Sequence, residues 1–416
     1  MQTLLSRQTY RSEECKPRKL IVIPGYCDGL GGTLISLSML ITGFERCGAS
    51  EQLCVLVRSG SLMHRYLADA GQAHLLKVIQ SKEQIQFFKH ALQWACQQPQ
   101  DWPLLLDNCV WRDFLPLLIL AAPGLRLSRR PVYHFCHDLG LSHNRLGYLI
   151  RKFTFTCLAP RAICNSKFTA EHIRPMMGKI RGVLYQPVDT EQFNLRPPVP
   201  PPVGLEPILR SGARVMLTPS RLNKPGTVND KNLRALIPVL VQLKAHGHHY
   251  HSVVVGEDGS FEQTYSRDLL EIAERSGVAD RFTILPPTVT IEDYYKYADV
   301  VVTLAPREPF GRTVVEAIAC GIPVVGSQTG GIGEILSHFA PEWTVTYDDP
   351  VAAAETIVRV AADPNTPNLL VRGRNWVEAQ CSVEGYAQQM LDIVGLTKQL
   401  SQNCLLTQGK IHYVKP

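Results

Sequence analysis

Two carboxylates, Glu308 and Glu316, stand either side of a break in the apolar pattern of the segment Asp299-Val-Val-Val-Thr-Leu-Ala-Pro-Arg-Glu-Pro-Phe-Gly-Arg-Thr-Val-Val-Glu316. Val300 to Leu304 has the length and β-branching of a buried strand. Pro306 and Pro309 turn the chain out of it into a loop. Gly311 allows a tight turn into a helix predicted from Arg312 to Cys320, and Gly321 stops that helix. A helix that begins at the carboxyl end of a strand offers unpaired N–H groups and the positive end of its dipole. An anion such as a diphosphate is therefore favoured beside Phe310, Gly311 and Arg312. Glu316 falls about one turn inside, where its two oxygens can accept hydrogen bonds from a vicinal diol such as a ribose 2′,3′ pair. Glu308 lies in the loop ahead, facing the middle of a cleft. The two acids are not an acid and base paired on one helix face, so their roles differ.

Other residues with chemical potential also follow the ends of predicted strands. Ile23-Pro-Gly25-Tyr-Cys-Asp-Gly29-Leu-Gly31-Gly32-Thr33 joins the first strand to the first helix, and its glycines let backbone approach a ligand closely. Its spacing is not G-x-G-x-x-G, so by itself it reads equally as a dinucleotide loop or as a plain turn. His137-Asp138 follows Val132 to Cys136, where a histidine is as readily structural as ligand-facing. Arg221 follows the strand that begins at Arg214.

Residues 308–334 read E-P-F-G-x-x-x-x-E-A-x-A-x-G-x-P-V-V and then G-G-x-x-E, with Glu308, Glu316 and Glu334 in the acidic positions. This resembles the E-x7-E signature of retaining GT-B glycosyltransferases of the family 4 group (glycosyl transferases group 1). The resemblance covers most of the chain and is weaker in the first half. It implies that Glu308 contacts the transferred hexose and Glu316 the ribose, while the backbone from Pro309 through Phe310, Gly311, Arg312 and Thr313 holds the sugar and diphosphate. Leu217-Thr-Pro-Ser-Arg221-Leu resembles the family's G-R-L segment, whose arginine and a following lysine clamp the diphosphate and stabilise the leaving group. Lys231, in a K-N-L that opens a helix, is preferred for that lysine, with Lys224 as the alternative. By the same resemblance Gly31 and Gly32 form the glycine loop over the diphosphate, and Gly256 belongs to the turn bordering the nucleotide. His137 helps position the donor sugar, with Asp138 in support. Asn165-Ser166 matches the family's step into a helix, with Ser166 as N-cap. Asp189 and Phe193 match a structural stretch.

The elements that must carry these residues are short apolar runs alternating with longer helical patterns, the mark of βαβ units and parallel sheets. In the first half the predicted strands are Lys19–Ile23, Leu53–Val57, Leu104–Asn108, Val132–Cys136, Arg161–Asn165 and Val183–Tyr185. The proline-rich stretch from Arg196 to Gly204 is a stiff extended connector. Beyond it come Arg214–Leu217, His251–Val255, Phe282–Leu285, Val300–Leu304, Pro323–Val325 and Trp343–Thr346. The expected fold is therefore α/β of the GT-B kind, two doubly wound Rossmann-like domains facing a deep cleft. Residues 1–203 form the acceptor side, 204–375 the donor side, and 376–416 a C-terminal helix and tail packing back on the first domain.

Composition fits this frame. With 416 residues, 45% hydrophobic and 19% charged, the chain can bury two or three cores and is neither disordered nor fibrous. The longest apolar run, Leu115 to Leu125, falls short of the roughly 18 residues of a membrane span and carries two prolines. Met1 to Lys19 has no apolar signal region, so a cytoplasmic address is expected. The twelve cysteines contain no C-x-x-C and read as reduced thiols. His246, His248, His249 and His251 precede a strand, at the end away from ligands, and read as a surface loop. No D-x-D occurs, so no metal and no cofactor is expected, and the cationic groups must neutralise the diphosphate. The expected partners are a nucleotide-diphosphate sugar (UDP-, GDP- or ADP-linked) and a hydroxyl acceptor such as a glycan, a lipid-linked saccharide or a small metabolite, with no nucleic acid. Residues 1–203 hold 24 Lys and Arg against 14 Asp and Glu, whereas 204–416 hold 19 against 23. This basic first half suits an anionic acceptor or peripheral contact with an anionic membrane. Other readings of the same pattern are a catalytically silent nucleotide-sugar-binding subunit and another GT-B enzyme, such as a sugar-nucleotide epimerase.

Overall fold

The first sheet begins with a run that is apolar on both faces. Leu20–Pro24 (β1) is buried throughout, as are Leu104–Asp107 (β4) and Val132–Cys136 (β5), because central strands of a parallel sheet are covered by helices on both sides. The computed structural model describes residues 17–29, 31–141, 144–196, 200–223, 225–227 and 230–397. Around these strands lie Leu53–Arg58 (β2), Leu76–Ile79 (β3), Arg161–Cys164 (β6) and Ile180–Val183 (β7), all parallel, in the order β3-β2-β1-β4-β5-β6-β7. The order reverses at β1, which pairs with β2 on one side and β4 on the other. The sheet's ligand crevice opens there.

Six strands were expected in this half, and seven are present. β3, Leu-Lys-Val-Ile, lies at the sheet edge with Leu76 and Val78 half-buried, Lys77 exposed and Ile79 buried. Four residues interrupted by Lys77 carry too little apolar signal to be seen in sequence. β7 runs three residues earlier than the expected Val183–Tyr185. Tyr185 leaves the sheet instead and donates its hydroxyl to Glu334 at 2.8 Å.

The second sheet holds Arg214–Pro219 (β8), Tyr250–Val255 (β9), Phe282–Leu285 (β10), Val300–Thr303 (β11), Val324–Ser327 (β12) and Thr344–Val345 (β13), again all parallel, in the order β10-β9-β8-β11-β12-β13. Each sheet has its own hydrophobic core. The fold is therefore α/β with two doubly wound Rossmann-like units.

After the second sheet, helix Thr366–Cys381 packs on helix Arg312–Ala319. The chain then crosses to the first sheet. Helix Val383–Val394 buries Tyr386, Ala387, Met390 and Leu391 in the first core, against helix Gly32–Arg46. Gly43 makes that approach possible, since a Cβ there would stand 2.5 Å from the Val383 carbonyl oxygen. A fully buried methionine at such a seam is costly to truncate: Met390→Ala should lower stability by about 2–5 kcal/mol in urea titration, through the cavity it leaves.

Candidate functional site

Gly311 sits at φ +104°, ψ 53°, a left-handed conformation that an L side chain adopts only under strain, and it turns the loop after β11 into helix Arg312–Ala319. No side chain caps this helix among the described residues: the Val314 amide turns back to the Gly311 carbonyl at 3.0 Å, and the Arg312 and Thr313 amides are left for a ligand at the strand end. The loop is held from behind. Gly330 and Gly331 lie flat against it: the Gly331 amide donates to the Glu308 carbonyl at 2.8 Å, and a Cβ at Gly331 would meet the Phe310 carbonyl oxygen at 2.1 Å. From the first domain, the hydroxyls of Ser166 and Thr169 reach the Pro309 carbonyl at 2.5 and 3.1 Å. Glu334 accepts from the Lys167 and Phe168 amides, both at 2.9 Å, and so caps helix Lys167–Ile173 across the domain boundary. The third acid of the signature is thereby a strut between domains.

Glu308 meets Lys231, with Nζ 2.5 Å from Oε2, and both side chains are only partly exposed. The loop that carries Lys231 is fixed on either side of it. Burial would raise the pKa of Asp230, but hydrogen bonds from the Gly226 and Asn232 amides and from Arg234 prevail and hold it below the usual carboxylate value. Asn232 stands at φ +54° and donates to the carbonyls of Leu304 at 3.1 Å and Tyr347 at 2.9 Å. These residues place Lys231 at the strand ends, and the sequence marks only Asn232, as part of the K-N-L, without showing these contacts. Lys224 lies outside the described residues. Arg221 is exposed at the end of β8 and forms no ion pair among the described residues. A Cβ at Gly31 would stand 3.9 Å from its Nη1, so the glycine turn and Arg221 face each other across the cleft.

Arg312 does something different with its side chain than with its backbone. Its guanidinium crosses into the first domain, donating to Ser36 Oγ at 2.6 Å, to the Pro187 carbonyl at 3.1 Å and to Gln186 Oε1 at 3.2 Å. Because arginine can only donate, the carbonyl of Gln186 must face it, and the Gln186 amide nitrogen then faces His137 Nδ1 at 2.8 Å. Nδ1 is therefore an acceptor, and the ring proton sits on Nε2, 2.7 Å from Asp107 Oδ1. Both ring nitrogens of His137 are engaged by protein groups, and its carbonyl accepts from Asn165 at 3.1 Å. Asp138 makes only a local turn, accepting from the Gly140 amide at 2.8 Å.

Glu316 is buried. Desolvation lifts its pKa to about 7, against the lowering effects of Arg312, 4.0 Å away, and of the Tyr295 hydroxyl, which donates at 2.9 Å. Burial and the Glu316 charge together raise Tyr295, which stays protonated as a donor. Thr313 contributes its carbonyl to the same hydroxyl at 3.5 Å. A buried acceptor-rich carboxylate beside a helix start without a side-chain cap can take both hydroxyls of a diol.

Gly256 has a packing explanation: a Cβ there would meet the Ser220 carbonyl oxygen at 2.0 Å, where the ends of β8 and β9 close on each other. Gly32 begins its helix beside Arg312, with a hypothetical Cβ 3.6 Å from Nε. Of the histidine group, His251 is buried enough to depress its pKa to about 4 and bonds Thr283 at 2.8 Å. No cluster able to hold a metal ion occurs among the described residues. Phe193 packs edge-on against Tyr295, and Asp189 lies 3.7 Å from Arg46.

With this geometry in place, the comparisons are informative. Residues 211–373 match one family model, Glycosyl transferases group 1. D-inositol 3-phosphate glycosyltransferase of Xylanimonas cellulosilytica is 32% identical over 157 residues, 37% of this chain and 38% of that protein. N-acetyl-alpha-D-glucosaminyl L-malate synthase of Bacillus anthracis is 25% identical over 122 residues, 29% of this chain and 32% of that protein. These matches thus span well under half the length of either relative. Among solved structures, Anabaena HepE in complex with UDP and glucose superposes with a TM-score of 0.72, at 19% identity, over 91% of this chain and 100% of that one. Sucrose-phosphate synthase from Thermosynechococcus elongatus gives 0.66, at 19% identity, over 93% of this chain and all of that one. The fold is GT-B.

Glu308, Glu316, Arg221, Lys231 and His137, the residues the sequence singles out, lie where the two sheets' strand ends face each other. Asp107, Gln186, Tyr295 and Asp230 lie in no motif and act by contacts formed only in the fold, and Asn232 stands in the K-N-L, where the sequence gives it no role of its own. Two outcomes follow. The folded chain holds the Glu316 proton more tightly than the unfolded one, so the stability that proton confers is complete below pH 4.5 and lost as pH rises through about 7. Urea titrations from pH 4 to 8 should show this decline, up to about 1.4 kcal/mol per pH unit, and Glu316→Gln should flatten it. Gln186→Met strips both Arg312 and His137 of a buried partner and should destabilise the chain by about 1–3 kcal/mol in the same assay.

Proposed function

We propose that this chain is a retaining glycosyltransferase that moves a hexose from a nucleotide-diphosphate sugar to a hydroxyl acceptor. The observation that carries the reading is the convergence of the uncapped helix start at Gly311–Arg312 with the Lys231–Glu308 pair and the exposed Arg221. An anion held at that helix start lies among Arg221, Lys231 and backbone donors. Fixed positive charge there stabilises a phosphate leaving group as its bond breaks. Lys231, paired with Glu308 in the free protein, would turn to the diphosphate when donor binds, releasing Glu308 to the hexose. Glu316 takes the ribose diol, and His137, with both nitrogens engaged, shapes the hexose pocket as a positioning residue. Attack comes from the face the leaving group occupies, and a departing phosphate oxygen accepts the acceptor's proton. The cations and helix dipole neutralise the diphosphate, so no metal is needed.

The match of residues 211–373 to the group 1 family supports the donor side of this reading. UDP-sugars are the first donors to test, because solved structures of the same fold hold UDP and UDP-glucose. In transfer and donor-hydrolysis assays with UDP-glucose, and in parallel with GDP- and ADP-sugars, Glu308→Ala and Lys231→Ala should each lower kcat by about 10²–10³. Glu316→Ala should chiefly raise the donor Kd. Since donor needs ionised Glu316, its Kd in the wild type should weaken as pH falls below about 7. The product anomer, read by NMR, should match the donor's, and EDTA should leave turnover unchanged. Full activity in both glutamate variants would overturn the assignment.

A further inference from the structure

Helix Arg145–Leu158 turns an apolar stripe outward. Leu146, Leu149, Ile150 and Phe153 lie within one face at helical spacing, with Leu146 67% and Phe153 59% exposed, while Thr154, Phe155 and Leu158 face the first domain's core. Helix Leu115–Leu127 packs alongside and adds Leu120, 77% exposed, and Leu127, 86% exposed. Single exposed apolar residues need no explanation, but six large ones on two adjoining helices do.

Charge decides what covers them. Neither helix contains an acid, and between Asp113 and Glu171 the sole acidic residue is Asp138, against eight Lys and Arg. Asp138 is spent in its own turn. Arg145 and Lys152 are exposed along the edge of the stripe, and Arg126 and Arg129 are exposed at the end of the neighbouring helix. A second copy docking here about a two-fold axis would bring these cations against each other, which disfavours self-association. A surface that is apolar below and anionic above meets both demands. We propose that the outer faces of helices Leu115–Leu127 and Arg145–Leu158 dock on an anionic lipid bilayer, the longer helix lying in the interfacial plane.

Such a helix rests on the bilayer without crossing it, in keeping with the finding that no described helix is long and apolar enough to span one. Helix Arg145–Leu158 begins at the carboxyl end of β5, beyond His137, so its apolar stripe starts at the rim of the cleft and the bilayer would lie beside the cleft mouth. This docking face is separate from the donor site and does not rest on the transferase reading.

The test is co-sedimentation of the full chain with vesicles of phosphatidylcholine alone and of equal parts phosphatidylcholine and phosphatidylglycerol. Binding should require the anionic lipid and weaken in high salt. Leu149→Asp combined with Phe153→Asp should abolish it, and in Arg145→Gln and Lys152→Gln each charge removed should weaken it about fivefold. All four positions are exposed, so the variants should keep the wild-type circular dichroism melt and the wild-type affinity for UDP. Wild-type sedimentation by the double variant, equal binding to neutral vesicles, or no vesicle binding at all would overturn the proposal. So would light scattering that shows a wild-type dimer dissolved by Phe153→Asp. Vesicle binding without any affinity for UDP, GDP or ADP would leave this surface standing and sink the donor site instead.

Discussion

The whole site depends on one buried charge. Arg312 opens the helix whose backbone is proposed to hold an anion, yet its guanidinium ends inside the other domain, between Ser36, Gln186 and the Pro187 carbonyl. A guanidinium taken out of water is tolerated only where fixed acceptors replace its hydration. Those acceptors come from the glycine-led helix Gly32–Arg46 and from the segment after β7, so the helix start cannot shift without uncovering the charge. The same group orients the Gln186 amide, which sets the His137 tautomer, and it sits 4.0 Å from Glu316, partly offsetting the burial of that carboxylate. Three side chains from two domains, Gln186, His137 and Glu316, take their orientation, tautomer or electrostatic balance from it.

The division of labour between side chain and backbone at this position also explains the loop's stiffness. Pro309 is held through its carbonyl by Ser166 and Thr169, Phe310 is packed against Gly331, and Glu334 reaches over to cap helix Lys167–Ile173. Preorganised donors aimed at a developing charge are worth more than flexible ones, because no reorganisation is needed at the moment of reaction. Contacts that span the domain boundary do that work here. The two sheets are therefore more than halves of a container: the first domain holds the second domain's loop and helix start at Gly311 in shape.

Much of this was legible in sequence where the signal was local. Gly311, Pro309 and the run Val300 to Leu304 announced a strand, a turn and a helix start, and the helix appears at Arg312–Ala319 almost as periodicity placed it. Glu308 and Glu316 could be given different roles from their offsets to that start. What stayed hidden was non-local. Gln186 and Asp107 lie in no motif, and their importance exists only because β4, β5 and the segment after β7 converge on His137. Edge strand β3 was invisible because half-covered residues need not be apolar. Glu334 and Gly256 could be recognised as parts of a pattern, but not as a cap and a close-packing position, since both facts depend on which backbone comes near.

The charge asymmetry between the halves takes on meaning once the site is laid out. Among the described residues, the crevice cations Arg221 and Lys231 come from the acidic second half, and Arg312, also from that half, is consumed by the domain contact. The surplus of the basic first half is thus not spent on the crevice. Arg126, Arg129, Arg145 and Lys152 are exposed on the outer helices, several of them beside unpaired leucines and Phe153. A solvated face needs charge of both signs and few large apolar groups. This face has one sign and many, so its composition answers to a surface other than water, and the crevice's electrostatics are left to a handful of residues that the fold fixes individually.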